Sequence, residues 1–155
     1  MDYESGMPLI VGIGNEFRRD DGVGLEIVRK LRPLVPQAEV QEASGEGAEL
    51  VELLSEHNAV YLFDAVSSGA APGTIYRIDS HKEPVPTKFF HYSTHDFSLA
   101  EAIELTRALG SLPRVLVVYG IEGADFDPGV GLSEVVSYAV DDVIKQCLAE
   151  LATVS

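Results

Sequence analysis

The chain has a single cysteine, Cys147, so no internal disulfide is possible. It lies in a segment of helical character with no histidine near it in sequence, and a buried structural thiol is expected there. Basic residues are scarce. Eleven Lys and Arg stand against 25 Asp and Glu, a net charge of −14, and no basic run is longer than two. Phosphate backbones and anionic membrane surfaces need clustered cations, so nucleic acid and membrane are excluded as partners. No apolar run approaches the ~20 residues of a membrane span. Met1 to Pro8 carries Asp2 and Glu4 where an export signal has basic residues, so the cytoplasm is the expected compartment. Repeats, low-complexity tracts and linkers are also missing.

What is present suits one folded domain over residues 1–155. Apolar residues make up 46% and charged residues 23% of the chain, ordinary values for a globular domain. A chain of this length buries about 68–70% of its unfolded surface. Leu9–Gly14 is an apolar run ending in glycines and reads as a buried strand. Asp20 is placed to cap a helix beginning at Asp21, with Val23, Ile27, Val28 and Leu31 inward and Pro33 as its stop. A weaker strand follows at Glu39–Ala43, and then a helix at Ala48–Glu56. Ala59–Phe63 and Val115–Tyr119 read as buried strands, and Thr74–Asp79 as a half-exposed one. Ser93 or Thr94 is placed to cap a helix over His95–Gly110, with Leu99, Ala102, Ile103 and Thr106 as its stripe and Leu109 near its end. Ser133–Leu151 is the closing helix.

This alternation predicts an α/β sheet with helices on both faces. Only nine residues separate Asp64 from Thr74, whereas a parallel crossover needs about a dozen or more. The Thr74–Asp79 strand is therefore expected as an antiparallel edge. Asp79–Tyr92, with Pro84 and Pro86, is a long loop of the kind that often carries function.

Sites in open α/β sheets lie beyond the carboxyl ends of the strands. There this sequence concentrates glycine and carboxylate: Gly14–Gly24, Ser44–Gly47, Asp64–Gly69 and Gly120–Gly123. Gly12-x-Gly14 is not a dinucleotide fingerprint, because Phe17 stands where the third glycine belongs. A tight strand exit explains the two glycines. Acids at Asp20 and Asp21 suit a helix N-terminus without further cause. Asp64 says more, since a carboxylate directly after an apolar strand must be hydrogen-bonded or coordinated. His57 and His81 read as surface-loop residues, and His91 stays ambiguous. Asp21, Asp64 and His95 make a two-carboxylate, one-imidazole set, which suits a borderline divalent ion with open positions.

The order Gly12-x-Gly14-Asn15-x4-Asp20-Asp21-Gly22-x-Gly24, Asp64-Ala65-x3-Gly69 with Pro72-Gly73-Thr74, and Ser93-Thr94-His95 resembles the endopeptidases that mature nickel–iron hydrogenases. The resemblance spans the chain from about Leu9 to the closing helix. It implies a three-layer α/β/α domain with a five-stranded, mostly parallel sheet. It also implies removal of a short C-terminal extension from the hydrogenase large-subunit precursor. By position, Asp21, Asp64 and His95 match the metal-contacting residues of that family. The nickel is expected to arrive with the precursor, with no tightly bound cofactor in the chain itself, which is expected to act as a monomer.

Two departures stand out. The first ligand position is often Glu in the family and is Asp21 here. The family's Asp-Gly-Gly-Thr after the second strand is replaced by Glu42-Ala43-Ser44-Gly45-Glu46-Gly47. Any catalytic part of that aspartate does not carry over; whether Glu42 or Glu46 replaces it stays open, and Glu46 is a candidate general base in a role otherwise unassigned. No Ser–His or Cys–His triad and no G-x-S-x-G are evident, which favours attack by water. The rival reading is a phospho-acceptor signalling domain, also acidic and α/β. Against it, the acid pair lies six residues past Gly14 and no lysine follows the last strand, at Tyr119-Gly120-Ile121.

Overall fold

The computed structural model describes residues 6–90 and 97–153. Among them are five strands: β1 (Leu9–Ile13), β2 (Glu39–Ala43), β3 (Ala59–Val66), β4 (Ile75–Asp79) and β5 (Val115–Glu122). They form one sheet in the order β2-β1-β3-β5-β4. The pairs β1–β2, β1–β3 and β3–β5 are parallel, and β4 runs antiparallel to β5 at the edge. The short β3–β4 connection thus has the expected consequence.

Period-two alternation divides the apolar residues of the strands between two cores. Ile10, Tyr61, Phe63 and Tyr119 pack beneath α1 (Val23–Leu31) and α4 (Glu134–Thr153). Leu9, Val11, Leu62 and Val118 pack beneath α2 (Gly47–Ser55) and α3 (Leu99–Ala108). The result is the three-layer sandwich that the alternation predicts. Cys147 is fully buried in the first core, where burial pushes its thiol up to about 12. The structural reading of this cysteine stands.

Gly12 and Gly24 set the depth at which α1 lies on the sheet. A Cβ on Gly24 would meet the carbonyl oxygen of Phe63 at 2.3 Å, and one on Gly12 would meet that of Gly24 at 2.4 Å. Only glycine permits an approach this close.

Several boundaries differ from the sequence expectation. The first helix does not begin at Asp21 under an Asp20 cap. A 3-10 turn spans Arg19–Gly22, and α1 starts at Val23 with no side-chain cap. Strands β3 and β5 run three residues beyond Phe63 and Tyr119, because the buried parallel ladder continues through Asp64↔Gly120 to Val66↔Glu122. Helix α3 begins at Leu99 and not at His95. The Glu101 carboxylate accepts from the Ser98 N–H at 2.8 Å and from its hydroxyl at 3.1 Å, a local lock at this helix start. The expected caps Ser93 and Thr94 lie outside the described residues, as do His91 and His95. Leu109 ends the helix 61% exposed and takes no part in the core. The long loop after β4 contains a 3-10 turn, Thr87–Phe90, whose Phe89 and Phe90 are buried. His57 is half-buried, with Nδ1 2.8 Å from the Leu53 carbonyl oxygen. His81 is exposed, and its Nε2 lies 2.7 Å from that of Pro113.

Candidate active site

The site is built where β1 and β3 end beside each other. Past Ile13 the chain turns at Gly14, which holds φ +150°; a Cβ there would lie 1.9 Å from the carbonyl oxygen of Asp21. Strand exit and acidic turn are therefore in backbone contact. The Asn15 N–H donates to Asp21 Oδ2 at 3.0 Å, and the Phe17 N–H donates to Asn15 Oδ1 at 2.9 Å. The loop between Gly14 and Asp21 folds over its own acid.

Asp64 reaches the same place from inside the sheet. It is the sixth residue of β3, on the face shared with Leu62 and Val66, and only 5% exposed. Its Oδ1 accepts from the Ala65 N–H at 2.8 Å. Burial pushes its carboxyl well above the usual carboxylate range, and the negative charge of Asp21 adds to the shift. A desolvated carboxylate beside a second one makes a place where a cation would be stabilised.

Both acids line one cavity of about 380 Å³, whose walls include Ile13, Phe17, Arg18, Phe90 and Leu99. Phe17 is 65% exposed at this cavity. The structure thus brings together Asp21 and Asp64, the two members of the expected set that it describes. His95, the third, lies outside the described residues. Among the described residues no group of three His, Cys, Asp or Glu side chains is arranged to hold a metal ion.

Glu46 is occupied elsewhere. It is the N-cap of α2, its two carboxylate oxygens accepting from the N–H groups of Ala48 and Glu49, each at 3.0 Å. Glu42 does not line the cavity either; it pairs with Arg29 of α1 at 2.8 Å. The other side of the Arg29 guanidinium holds Glu16 at 3.1 Å. Glu16 does line the cavity, and its hydrogen bond and charge pairing with Arg29 hold its carboxyl below the usual range. Glu16 belongs to the segment Gly14–Gly24 that the sequence places at the rim, but its partner Arg29 lies a helix away, where no local pattern joins them. Of the loop cations, Arg18 lines the cavity, while Arg19 pairs with Asp125 at 3.5 Å and lies outside it.

Comparison with known proteins supplies the family. The sequence model of a family described as HycI, hydrogenase maturation protease, matches residues 25–150. The chain belongs to the hydrogenase maturation protease family. It is 35% identical over 150 residues to a putative hydrogenase maturation protease of Methanocaldococcus jannaschii, covering 92% of this chain and 95% of the relative. With the hydrogenase 2 maturation protease of Escherichia coli it shares 30% identity over 148 residues, 92% and 89% of the two chains. The fold agrees as well. A solution structure of an endopeptidase from Escherichia coli superposes with a TM-score of 0.80 at 27% identity, covering 94% of this chain and 92% of that one. The hydrogenase maturating endopeptidase HybD of Escherichia coli gives 0.77 at 25%, with 96% and 93% covered.

The protein is thus an endopeptidase of hydrogenase maturation, and the receiver-like alternative finds no support. Receivers of the flavodoxin-like kind are wound 2-1-3-4-5, whereas here an antiparallel β4 lies outside β5.

Proposed function

We propose that this protease removes the C-terminal extension of the nickel-loaded large-subunit precursor of a nickel–iron hydrogenase. Asp21 and Asp64 would dock the nickel that the precursor carries, with His95 of the Ser93-Thr94-His95 motif as the third contact. One observation carries this reading: a buried carboxylate and a half-buried one share the wall of one cavity, and the charge of Asp21 adds to the cost of ionising Asp64. A divalent cation from the substrate relieves that cost, so docking favours nickel-bearing precursor over empty precursor. Oxygen and nitrogen donors of this kind suit a borderline ion.

The chain's own contribution is positioning. Docking fixes the scissile peptide against the loop Gly14–Asp21, and such fixation by itself supplies several kcal/mol toward hydrolysis, on the order of that gained in well-oriented intramolecular reactions. Water is the proposed nucleophile. Glu16, held ionised by Arg29, is a poor proton acceptor.

The reading places the enzyme in the cytoplasm, as one domain that meets its precursor transiently and holds no metal of its own between encounters. Among the described residues no helix is long and apolar enough to cross a membrane. The test is co-incubation with nickel-loaded and nickel-free precursor, read as loss of a C-terminal peptide by intact mass. Cleavage of the loaded form alone is expected. Equal cleavage of both forms sinks the docking role.

A further inference from the structure

We propose that Asp20 is a positioning residue of this site: its buried carboxylate locks the loop between β5 and α4 onto the turn that carries Asp21. The proposal rests on Asp21 being a docking carboxylate.

Asp20 has no exposed surface, and a carboxylate at that depth needs several donors to remain favourable. It has four, all distant in sequence. Oδ2 accepts from the N–H groups of Ala124 at 2.8 Å and Asp125 at 3.0 Å and from the Ser133 hydroxyl at 2.8 Å. Oδ1 accepts from the Ser133 N–H at 2.8 Å. Hydrogen bonds to an ionised acceptor are the strong kind. The bonds come from both ends of the 123–133 loop, so one side chain closes it.

The backbone repeats the tie. The Asp20 N–H donates to the Asp125 carbonyl at 2.9 Å and the Arg19 N–H to that of Gly129 at 3.1 Å, while the Gly129 N–H donates to that of Phe17 at 2.9 Å. Arg18 Nε donates to the Phe126 carbonyl at 3.2 Å. Arg19 meanwhile holds φ +49°, a left-handed conformation that a non-glycine residue keeps only when its surroundings fix it.

The segment Phe17–Asp20 is thus stitched to a loop that is far away in sequence. Phe17 and Arg18 line the cavity, and Asp21 follows Asp20 directly. Cavity wall and docking carboxylate therefore rest on one buried anchor. Without it, Asp21 keeps its place in the chain but loses its fixed bearing on Asp64.

The test uses the full chain with Asp20→Asn, Ser133→Ala, Asp21→Asn and Val143→Ala. Asparagine keeps the shape but turns an N–H₂ toward donors. Ser133→Ala removes a single donor away from the cavity. Val143→Ala opens the core beneath α4 and controls for lost stability. Two readouts are taken: kcat and KM on nickel-loaded precursor, and hydrogen exchange of the Asn15 amide, which reports the hold on Asp21. Asp20→Asn is expected to lose at least about ten-fold in kcat/KM, the scale of a sub-ångström misplacement. Its Asn15 amide should exchange faster, with β1 and β3 amides unchanged. Ser133→Ala should lie between it and wild type, and Val143→Ala should keep wild-type kcat/KM despite a lower melting temperature. The proposal is overturned if Asp20→Asn loses no more activity than Val143→Ala, or if exchange rises evenly across the sheet. Should Asp20→Asn fail to fold, Ser133→Ala decides, by a lowered kcat/KM with faster Asn15 exchange or by neither. If Asp21→Asn is inactive while Asp20→Asn is normal, only the positioning role falls. If Asp21→Asn is fully active, the docking reading falls with it.

Discussion

Gly14 and Asp21 meet backbone to backbone: the carbonyl oxygen of Asp21 sits 1.9 Å from where a Cβ of residue 14 would be. The contact presses the acidic turn against the end of β1. It also makes Gly14 intolerant of any side chain, because its φ of +150° is strained for L residues as well. Gly14→Ala is expected to destabilise the protein by at least about 1–3 kcal/mol from backbone strain alone. Urea denaturation measures this, and a variant as stable as wild type would show that the turn can move aside.

Asp64→Asn separates stability from activity. The folded-state carboxyl of Asp64 is raised by burial and by Asp21, above the unfolded value of about 3.9. As pH rises from the unfolded value toward the raised folded one, the unfolded chain gives up its proton and the native state resists. Stability is therefore lost with rising pH through that window. Asp64→Asn cannot lose this increment. Its melting temperature should match wild type near pH 3 and exceed it at neutral pH, while processing of the precursor is lost. A variant less stable than wild type at neutral pH would contradict the desolvation argument.

Asp20→Ala strands four buried donors, and is expected to cost more than the ~0.5–2 kcal/mol of a lost helix cap. With each stranded donor worth about 1–3 kcal/mol before relaxation or water entry, about 3 kcal/mol or more is the expected loss. Chemical denaturation of the two proteins side by side gives the number. A loss of about 1 kcal/mol or less would show that the freed donors find other partners.

Phe17 is 65% exposed on the cavity wall and carries no core packing. Phe17→Ala should leave stability within about 0.5 kcal/mol and raise KM for the precursor with little change in kcat. An unchanged KM in steady-state cleavage would remove Phe17 from the docking surface.

The layers were legible in the sequence because each element carries its own pattern. Apolar strands and i, i+3/i+4 stripes are local signals, and the nine-residue gap before Thr74 imposes the antiparallel edge by chain length alone. Asp64 was legible for a similar reason, since an acid adjoining an apolar strand is anomalous wherever that strand ends. Helix starts are less legible. Ser98 and Glu101 lock the start of α3 through a local pair, while Ser93 and Thr94 nearby offer the same capping chemistry in the sequence.

The fold class and the order of elements are written in local patterns of the sequence, while the meeting of Asp21 with Asp64 depends on the fold that brings β1 and β3 together. Neighbours within a few residues set hydrophobic period and turn chemistry. What the remaining acids do is set by long-range contacts. Asp20 and Asp21 are indistinguishable as a dipeptide, yet one is sealed under Ala124, Asp125 and Ser133 while the other lines the cavity. Glu46 caps α2, and Glu16 and Glu42 share Arg29. A carboxylate's role follows from the donors and charges around it. For Asp20 the four donors lie 104 to 113 residues away along the chain, where no local pattern reaches.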